Sequence, residues 1–338
     1  MEKYFVSICI PSYNRPIELK RLLKSIDCEQ SEIIEIVICE DRSPKRPEIK
    51  ETVEEYMKNS PYQVSYYENE INLGYDNNIR ELINKAQGEY IVFMGDDDLF
   101  IPGVLDGYLD FLNEHHEVGY VLRSYRAINK DGLIEYFKYY SSDMFFEKGE
   151  NTYLELFRKS VFISGFTCKR EWASEYLVDD FDGTLLYQLY ILAELCMHHP
   201  AAYYSVPITQ SIEGGTPYFG TSEKEKDLYT PGTITVQNSL NFMQGFFIIS
   251  GYMDKKYNLD STKKIKTDIS KYSYPILSIQ RNKGVSEFKY YCRELRKLDI
   301  DCTIFFNIYY IGLLIMGTKR CDNIIKFIKK VLGKTPKL

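Results

Sequence analysis

The chain has 338 residues, enough for one large domain or for a catalytic domain with a smaller appendage. Its 44% hydrophobic and 27% charged residues are ordinary for a globular protein. A net charge of −6 argues against nucleic acid as a default partner, and an acidic protein that handles a diphosphate needs a cation or local positive groups at that site. Eight cysteines, at 9, 28, 39, 168, 196, 292, 302 and 321, show no CxxC spacing, which predicts buried free thiols in a reducing, cytoplasmic setting. Thirty tyrosines and 19 phenylalanines against one tryptophan are read as core filling rather than as a sugar-stacking surface. Met1-Glu2-Lys3 leads straight into a β-like run, so no secretory signal peptide is expected.

The first half alternates strand and helix signals. Phe5 to Ile10 is apolar and stops at Pro11; Ile17 to Ile26 follows with Leu19, Leu22, Leu23 and Ile26 on one helical stripe. Ile33 to Cys39 is a second apolar run, ending in Glu40-Asp41. A polar helix is predicted over 47–58, an edge strand over 63–67, and a third helix over 76–86 with Gly88 as its C-cap. Tyr90 to Met94 is a buried strand that runs into Gly95 and three aspartates. Uninterrupted apolar runs of this kind suit a parallel sheet covered on both faces.

Beyond Pro102 a helix to about His115 precedes a strand over 118–128, a turn at Asp131-Gly132, a helix over 152–159 and an extended segment over 162–169. A long helix is predicted over 184–197. Residues 214–232 are polar and lack periodicity, which marks a mobile or functional loop. The last hundred residues read as helical. Residues 302–317 are mostly apolar and precede Lys319-Arg320, a run shorter than the roughly 20 residues of a membrane span. A buried helix and an interfacial membrane-contact helix, continued by Lys326, Lys329 and Lys330, both remain open.

Ligands of open α/β sheets collect at the carboxyl ends of strands. Three such ends carry polar residues here: Pro11-Ser12-Tyr13-Asn14-Arg15, Glu40-Asp41 and Asp96-Asp97-Asp98. Carboxylates this dense repel one another without a cation, and Mg²⁺ or Mn²⁺ takes oxygen ligands from one or two carboxylates plus substrate phosphates. The structural alternative is a solvated acidic turn in which Asp98 caps the helix after Pro102.

These segments carry a family resemblance. Over about the first 110 residues of the chain, Val6 to Arg15, Ile38-Cys39-Glu40-Asp41, Asn72-Leu73-Gly74 and Gly88 to Asp98 resemble family 2 glycosyltransferases in order and spacing. The resemblance implies the GT-A fold, a Rossmann-like α/β mixed sheet flanked by helices, here with a helical C-terminal extension. It also implies roles for individual positions: Asp41 recognises the donor base, and Pro11, Ser12 and Asn14 line the same pocket. Asn72 and Gly74 close over base and ribose, while Asp96, Asp97 and Asp98 meet the diphosphate. Asp98 and Asp96 are the implied ligands of Mn²⁺ or Mg²⁺. Two departures stand out: Asp41-Arg42-Ser43 replaces the usual Asp-Gly-Ser, and Arg80 lies about one position late for the family's arginine. Gly95 in place of the first acid of the common Asp-x-Asp-Asp is a familiar variant.

Family 2 members are generally inverting, so a carboxylate must take the acceptor proton. The resemblance points to Asp182, with Asp180 second, in Asp179-Asp180-Phe181-Asp182-Gly183-Thr184; helix N-capping is the structural alternative for Asp182. Histidines 115, 116, 198 and 199 are read as surface or cap residues. The expected organisation is a catalytic domain over 1–212, split into a nucleotide-sugar half (1–115) and an acceptor half (116–212), a mobile loop over 213–232, and a helical region over 233–338. The implied activity transfers a sugar from a nucleotide-diphospho-sugar to a glycan or polyprenyl-linked acceptor, as in bacterial surface polysaccharide synthesis. Peripheral membrane contact through the apolar C-terminal helix goes with it. A sugar nucleotidyltransferase shares the fold but needs a glycine-rich loop after strand one, which Pro11 to Arg15 lacks. A non-catalytic nucleotide-binding relative would not need to keep both acid sites.

Overall fold

The structure is a computed structural model that describes residues 4–129, 132–212 and 214–332, with the side chains of Lys326 and of residues 328–332 outside the description. The chain divides into two compact units, 1–233 and 234–338.

The first unit opens with β1 (Tyr4–Ser12), α1 (Pro16–Ser25), β2 (Ile34–Glu40), α2 (Arg46–Met57), β3 (Gln63–Glu68), α3 (Tyr75–Lys85) and β4 (Gly88–Phe93). Strands β1 to β4 pair in parallel in the order β3-β2-β1-β4, so β3 lies at the edge as its alternating pattern predicts. All seven residues of β2 are buried, as are Val6 to Ile10 of β1, because helices cover both faces. Helix α1 forms where Pro16 presets the first turn, and it sets Leu19, Leu22 and Leu23 into the sheet. Gly88 is the first residue of β4 rather than a helix C-cap. A Cβ there would lie 2.6 Å from the Ser7 amide nitrogen, so the glycine serves close strand approach.

The sheet continues through β5 (Leu99–Phe100), α4 (Leu105–Glu114), β6 (Tyr120–Ile128), β7 (Ile134–Phe137), β8 (Met144–Phe146) and α5 (Glu150–Phe157). It is completed by β9 (Phe166–Lys169), α6 (Arg170–Ser174), α7 (Tyr187–His198) and β10 (Ala201–Ile212). The full order is β3-β2-β1-β4-β9-β6-β10-β5, with β7 on β6 and β8 on β10. Strand β9 runs antiparallel to both neighbours, which makes the sheet mixed. The extended segment expected over 162–169 is shorter, because Ile163–Gly165 winds into a 3-10 turn before β9. The turn expected at Asp131-Gly132 falls partly outside the description, at Asp131. Helix α7 starts at Tyr187, three residues later than its pattern suggests, since Leu185 takes a left-handed conformation (φ 61°) that no helix continues.

The second unit is helical: α8 (Val236–Tyr257), α9 (Ser261–Lys271), α10 (Tyr274–Lys283), α11 (Val285–Lys297), α12 (Ile304–Met316) and α13 (Thr318–Leu332). Phe246, Ile249, Leu277, Phe288, Leu295, Phe306 and Leu313 form its buried interior. Among the described residues no helix is long and apolar enough to cross a membrane. Seven cysteines are buried free thiols and Cys302 is exposed.

Candidate active site

Strand β4 ends beside β1, where the Met94 amide donates to the Cys9 carbonyl at 3.0 Å, and Asp98 N–H to Gly95 O closes the turn that follows. That turn folds its acids inward. Asp96 is 2% exposed and Asp98 4%, while Asp97 is half-buried. Asp96 accepts the Tyr13 amide at 3.0 Å and Arg15 Nη1 at 2.8 Å; Arg15 Nη2 lies 3.2 Å from Asp97. Asp98 Oδ2 accepts the Ser164 hydroxyl, which itself accepts the Gly95 amide at 2.7 Å. Burial, with Asp97 nearby, lifts Asp96 to about 7 despite Arg15, and lifts Asp98 well above the usual carboxylate range. Gly95 suits this crowding, since a Cβ there would stand 3.1 Å from the Asp98 carboxylate. Asp98 does not cap α4: that helix has Val104 at its N-cap and no side-chain cap bond.

On the other flank of β1, the Asp41 amide donates to Ser12 O at 3.1 Å. The Asp41 carboxylate accepts Asn69 Nδ2 (2.9 Å), the Leu73 amide (2.8 Å) and the Gly74 amide (2.9 Å), and burial raises it to about 6. A carboxylate offers about four acceptor positions, so one is left for a ligand donor. Arg42 takes a left-handed backbone (φ 54°), a region that favours glycine, and its amide donates to Glu40. Asn14 is also left-handed (φ 62°).

Among the described residues, several buried polar atoms at this edge have no hydrogen-bond partner: Ser12 Oγ, Asn14 Oδ1, Ser43 Oγ and Ser222 Oγ. Each such atom costs about 1–3 kcal/mol unless something satisfies it. Ser12 and Asn14 sit on the β1 end that touches Asp41 on one side and Asp96 on the other. Pro11, in the same strand, stands in register with Cys39 of β2.

Residues 214–232 form a turn-rich strap over these strand ends. Arg15 Nη2 donates to Thr216 O at 2.7 Å, and its guanidinium lies 5.1 Å from the Tyr218 ring. Asn72 donates to Thr221 at 3.1 Å, and Glu225 accepts the amides of Tyr75 (2.8 Å) and Gly220 (2.9 Å). Gly74 (φ 81°) has no alternative, because a Cβ would stand 2.5 Å from Ser222 Oγ. Asn72 and Gly74 thus meet the strap directly.

The second acidic run is arranged differently. Asp179 and Asp180 are exposed, whereas Asp182 forms a two-point ion pair with Arg80 of α3, Nη2 to Oδ2 being 3.0 Å. Asp76, one turn earlier on the same helix face, accepts the amides of Gly183 (2.9 Å), Leu185 (2.9 Å) and Tyr187 (3.0 Å). Asp76 therefore supplies the acceptor at the start of α7, and Asp182 is not its cap. Burial raises Asp76 to about 7. The sequence singled out neither Asp76 nor Ser164, and it assigned Arg15 and Arg80 no partner. Glu225 was also missed; its only signal was its place in an aperiodic polar stretch.

The donor set at Asp96, Asp97 and Asp98 is all oxygen, and a guanidinium already lies against two of the three carboxylates, so positive charge is favoured there. A hard divalent cation fits this chemistry. Among the described residues no three acidic, histidine or cysteine side chains form a ready-made cage, so phosphate and water would complete the coordination.

Comparison with known proteins follows the same residues. The model of glycosyl transferase family 2 matches residues 7–173. Abequosyltransferase RfbV of Salmonella typhimurium is 32% identical over 108 residues, 31% of this chain and 32% of that protein. The GalNAc(5)-diNAcBac-PP-undecaprenol beta-1,3-glucosyltransferase of Campylobacter jejuni is 27% identical over 110 residues, 32% of this chain and 35% of that protein. The matched segment spans about a third of the length of such curated relatives. In fold the chain is similar to residues 1–349 of S. aureus TarS in complex with UDP-GlcNAc, with TM-score 0.53 and 12% identity over 94% of this chain and 92% of that one.

Proposed function

The chain belongs to glycosyl transferase family 2 through residues 7–173, and we propose that it moves a sugar from a nucleotide-diphospho-sugar to a hydroxyl of a glycan or lipid-linked acceptor, with inversion. The observation that carries this reading is the pair of unsatisfied polar atoms, Ser12 Oγ and Asn14 Oδ1, on the β1 end between Asp41 and Asp96. A nucleotide laid along that edge would satisfy them, with its base toward Asp41 and its diphosphate toward the acidic turn. Two named relatives transfer sugars, one of them to an undecaprenol-linked saccharide, and the similar fold of TarS was seen with UDP-GlcNAc.

Asp98 and Asp96 are the proposed ligands of Mn²⁺ or Mg²⁺, which when bound neutralises charge developing on the departing diphosphate. Arg15 adds a guanidinium at the same turn, within reach of Asp96 and Asp97. Asp182 is the proposed base, ion-paired with Arg80 until the acceptor hydroxyl displaces one of the two contacts; exposed Asp180 is the second candidate. A thermal-shift panel of UDP-, CDP-, GDP- and dTDP-sugars with Mn²⁺, followed by donor hydrolysis with and without Mn²⁺, tests the reading. One nucleotide class should stabilise the protein and be hydrolysed only with metal. A protein indifferent to all four contradicts it.

Peripheral membrane contact belongs to the same proposal and has its own support. Ile304, Ile308, Ile311 and Ile315 recur at helical spacing along α12 and are 70, 53, 52 and 75% exposed, with exposed Lys319 and Arg320 just beyond. Lys326, Lys329 and Lys330 have side chains outside the description. Thirteen residues of helix span about 20 Å, short of the ~30 Å hydrocarbon core, so α12 would lie in the interface. The double variant I308D/I311D should lose co-sedimentation with phosphatidylglycerol vesicles at least tenfold. Unchanged partitioning removes this part of the proposal.

A further inference from the structure

Beneath the acidic turn lies a buried polar cluster that the proposed chemistry does not itself employ. Ser164 is the middle residue of the 3-10 turn Ile163–Gly165 and is fully buried, as are Arg123 of β6 and Thr209 of β10. Arg123 Nη2 donates to Phe93 O at 3.0 Å and to Ser164 O at 2.9 Å; Thr209 Oγ1 donates to the same Ser164 carbonyl at 3.0 Å. Side chains from two strands thus grip one carbonyl and tie it to the end of β4.

The hydroxyl of that same residue is thereby fixed as well. Ser164 Oγ accepts the Gly95 amide at 2.7 Å, and its single proton is directed at Asp98 Oδ2. Asp98 Oδ1 accepts no hydrogen bond among the described residues, so one oxygen is anchored and the other remains for a ligand. The positive charge of Arg123 adds to this arrangement. Its Nε and Nη1 have no hydrogen-bond partner among the described residues, and a guanidinium does not deprotonate in proteins, so a cation with unpaired donors, 5.7 Å from the Tyr108 ring, lies under the turn. A buried charge with unpaired donors is costly for the fold. Its interaction with Asp98 offsets part of that cost.

We propose that Ser164, held by Arg123 and Thr209, is the positioning residue that orients Asp98 to bind the divalent cation. The inference rests on the reading that Asp98 is a metal ligand. A metal ligand whose outer hydrogen bond is lost typically binds 10–100-fold more weakly. The test is calorimetric titration of Mn²⁺ alone into the full chain, without nucleotide, together with the unfolding midpoint of each variant. Ser164→Ala should weaken Mn²⁺ binding about tenfold while still unfolding cooperatively, at a midpoint lowered by the two buried hydrogen bonds it removes, and Ser164→Thr, which keeps the hydroxyl, should restore binding. Ser164→Cys, close in size but a poor donor, should behave like Ser164→Ala and carries the test if alanine does not fold. Wild-type affinity in Ser164→Ala or Ser164→Cys, alongside lost binding in Asp98→Asn, overturns the inference while leaving the metal reading intact. Wild-type affinity in Asp98→Asn overturns the metal reading itself.

Discussion

Two runs of aspartates, 96–98 and 179–182, carry the same residue type into opposite surroundings. In the first, a buried strand delivers the acids into the interior of the sheet edge, and three donors meet them: the Tyr13 amide, the Arg15 guanidinium and the Ser164 hydroxyl. In the second, Asp179 and Asp180 face solvent and Asp182 is engaged by one arginine. The first run has lost most of its hydration, which raises Asp96 and Asp98 in proton affinity although these donors pull the other way. That is how perturbed groups of functional sites are built. Chemistry therefore follows the burial and partners of an acidic run rather than its density in sequence.

The largest expected effect falls on the buried run. Asp98→Asn keeps the shape of the turn and removes a charge, and the proposed transfer rate should drop on the order of 10³-fold, measured as kcat/KM with the donor found by the thermal-shift panel. A loss below tenfold would make the first run no more special than the second. Next comes the distinction inside the second run. Asp182→Asn should lower kcat by about 10²-fold or more with donor KM little changed, as removal of a general base does. Asp180→Asn should leave both within twofold, and equal losses in the two variants would transfer the proposed role or dissolve it.

The smallest effect is on stability. Asp41, Asp76 and Asp96 have folded-state values near 6, 7 and 7, raised chiefly by burial. An unfolded aspartate titrates at about 3.9. Across that interval the native state holds protons the unfolded chain has released, so stability contributed by these groups is complete below about pH 4 and lost as pH rises to about 7. In metal-free buffer the unfolding midpoint should decline by several degrees from pH 5 to pH 8. A midpoint that climbs steadily over that range contradicts the buried state of these acids.

Much of the fold was legible. Each apolar run of the first half became a strand, and Leu19, Leu22 and Leu23 became the buried stripe of α1, because strands covered on both faces and helices covered on one leave local patterns. Gly88 was misread because a glycine after a helix suits a C-cap as readily as a strand start, and only the approach of Ser7 separates them. The start of α7 was placed early for a related reason: Thr184 to Leu186 continue the apolar pattern, but Asp76 accepts the amides of Gly183, Leu185 and Tyr187, and Thr184 Oγ1 that of Leu186, which holds the segment in a turn.

By itself the sequence determined that polar residues end three buried strands, which brings Ser12, Asp41 and Asp96 to Asp98 to one edge in any parallel sheet of that order. It could not determine which acids would be paired, and with what. Arg15 meets Thr216 across 201 residues, Arg80 meets Asp182 across 102, and Ser164 meets Asp98 across 66. Side-chain partners at such separations leave no periodic trace in a single chain, since any surface arginine or serine would look the same. Only the folded sheet, by bringing both members of each pair together, selects them.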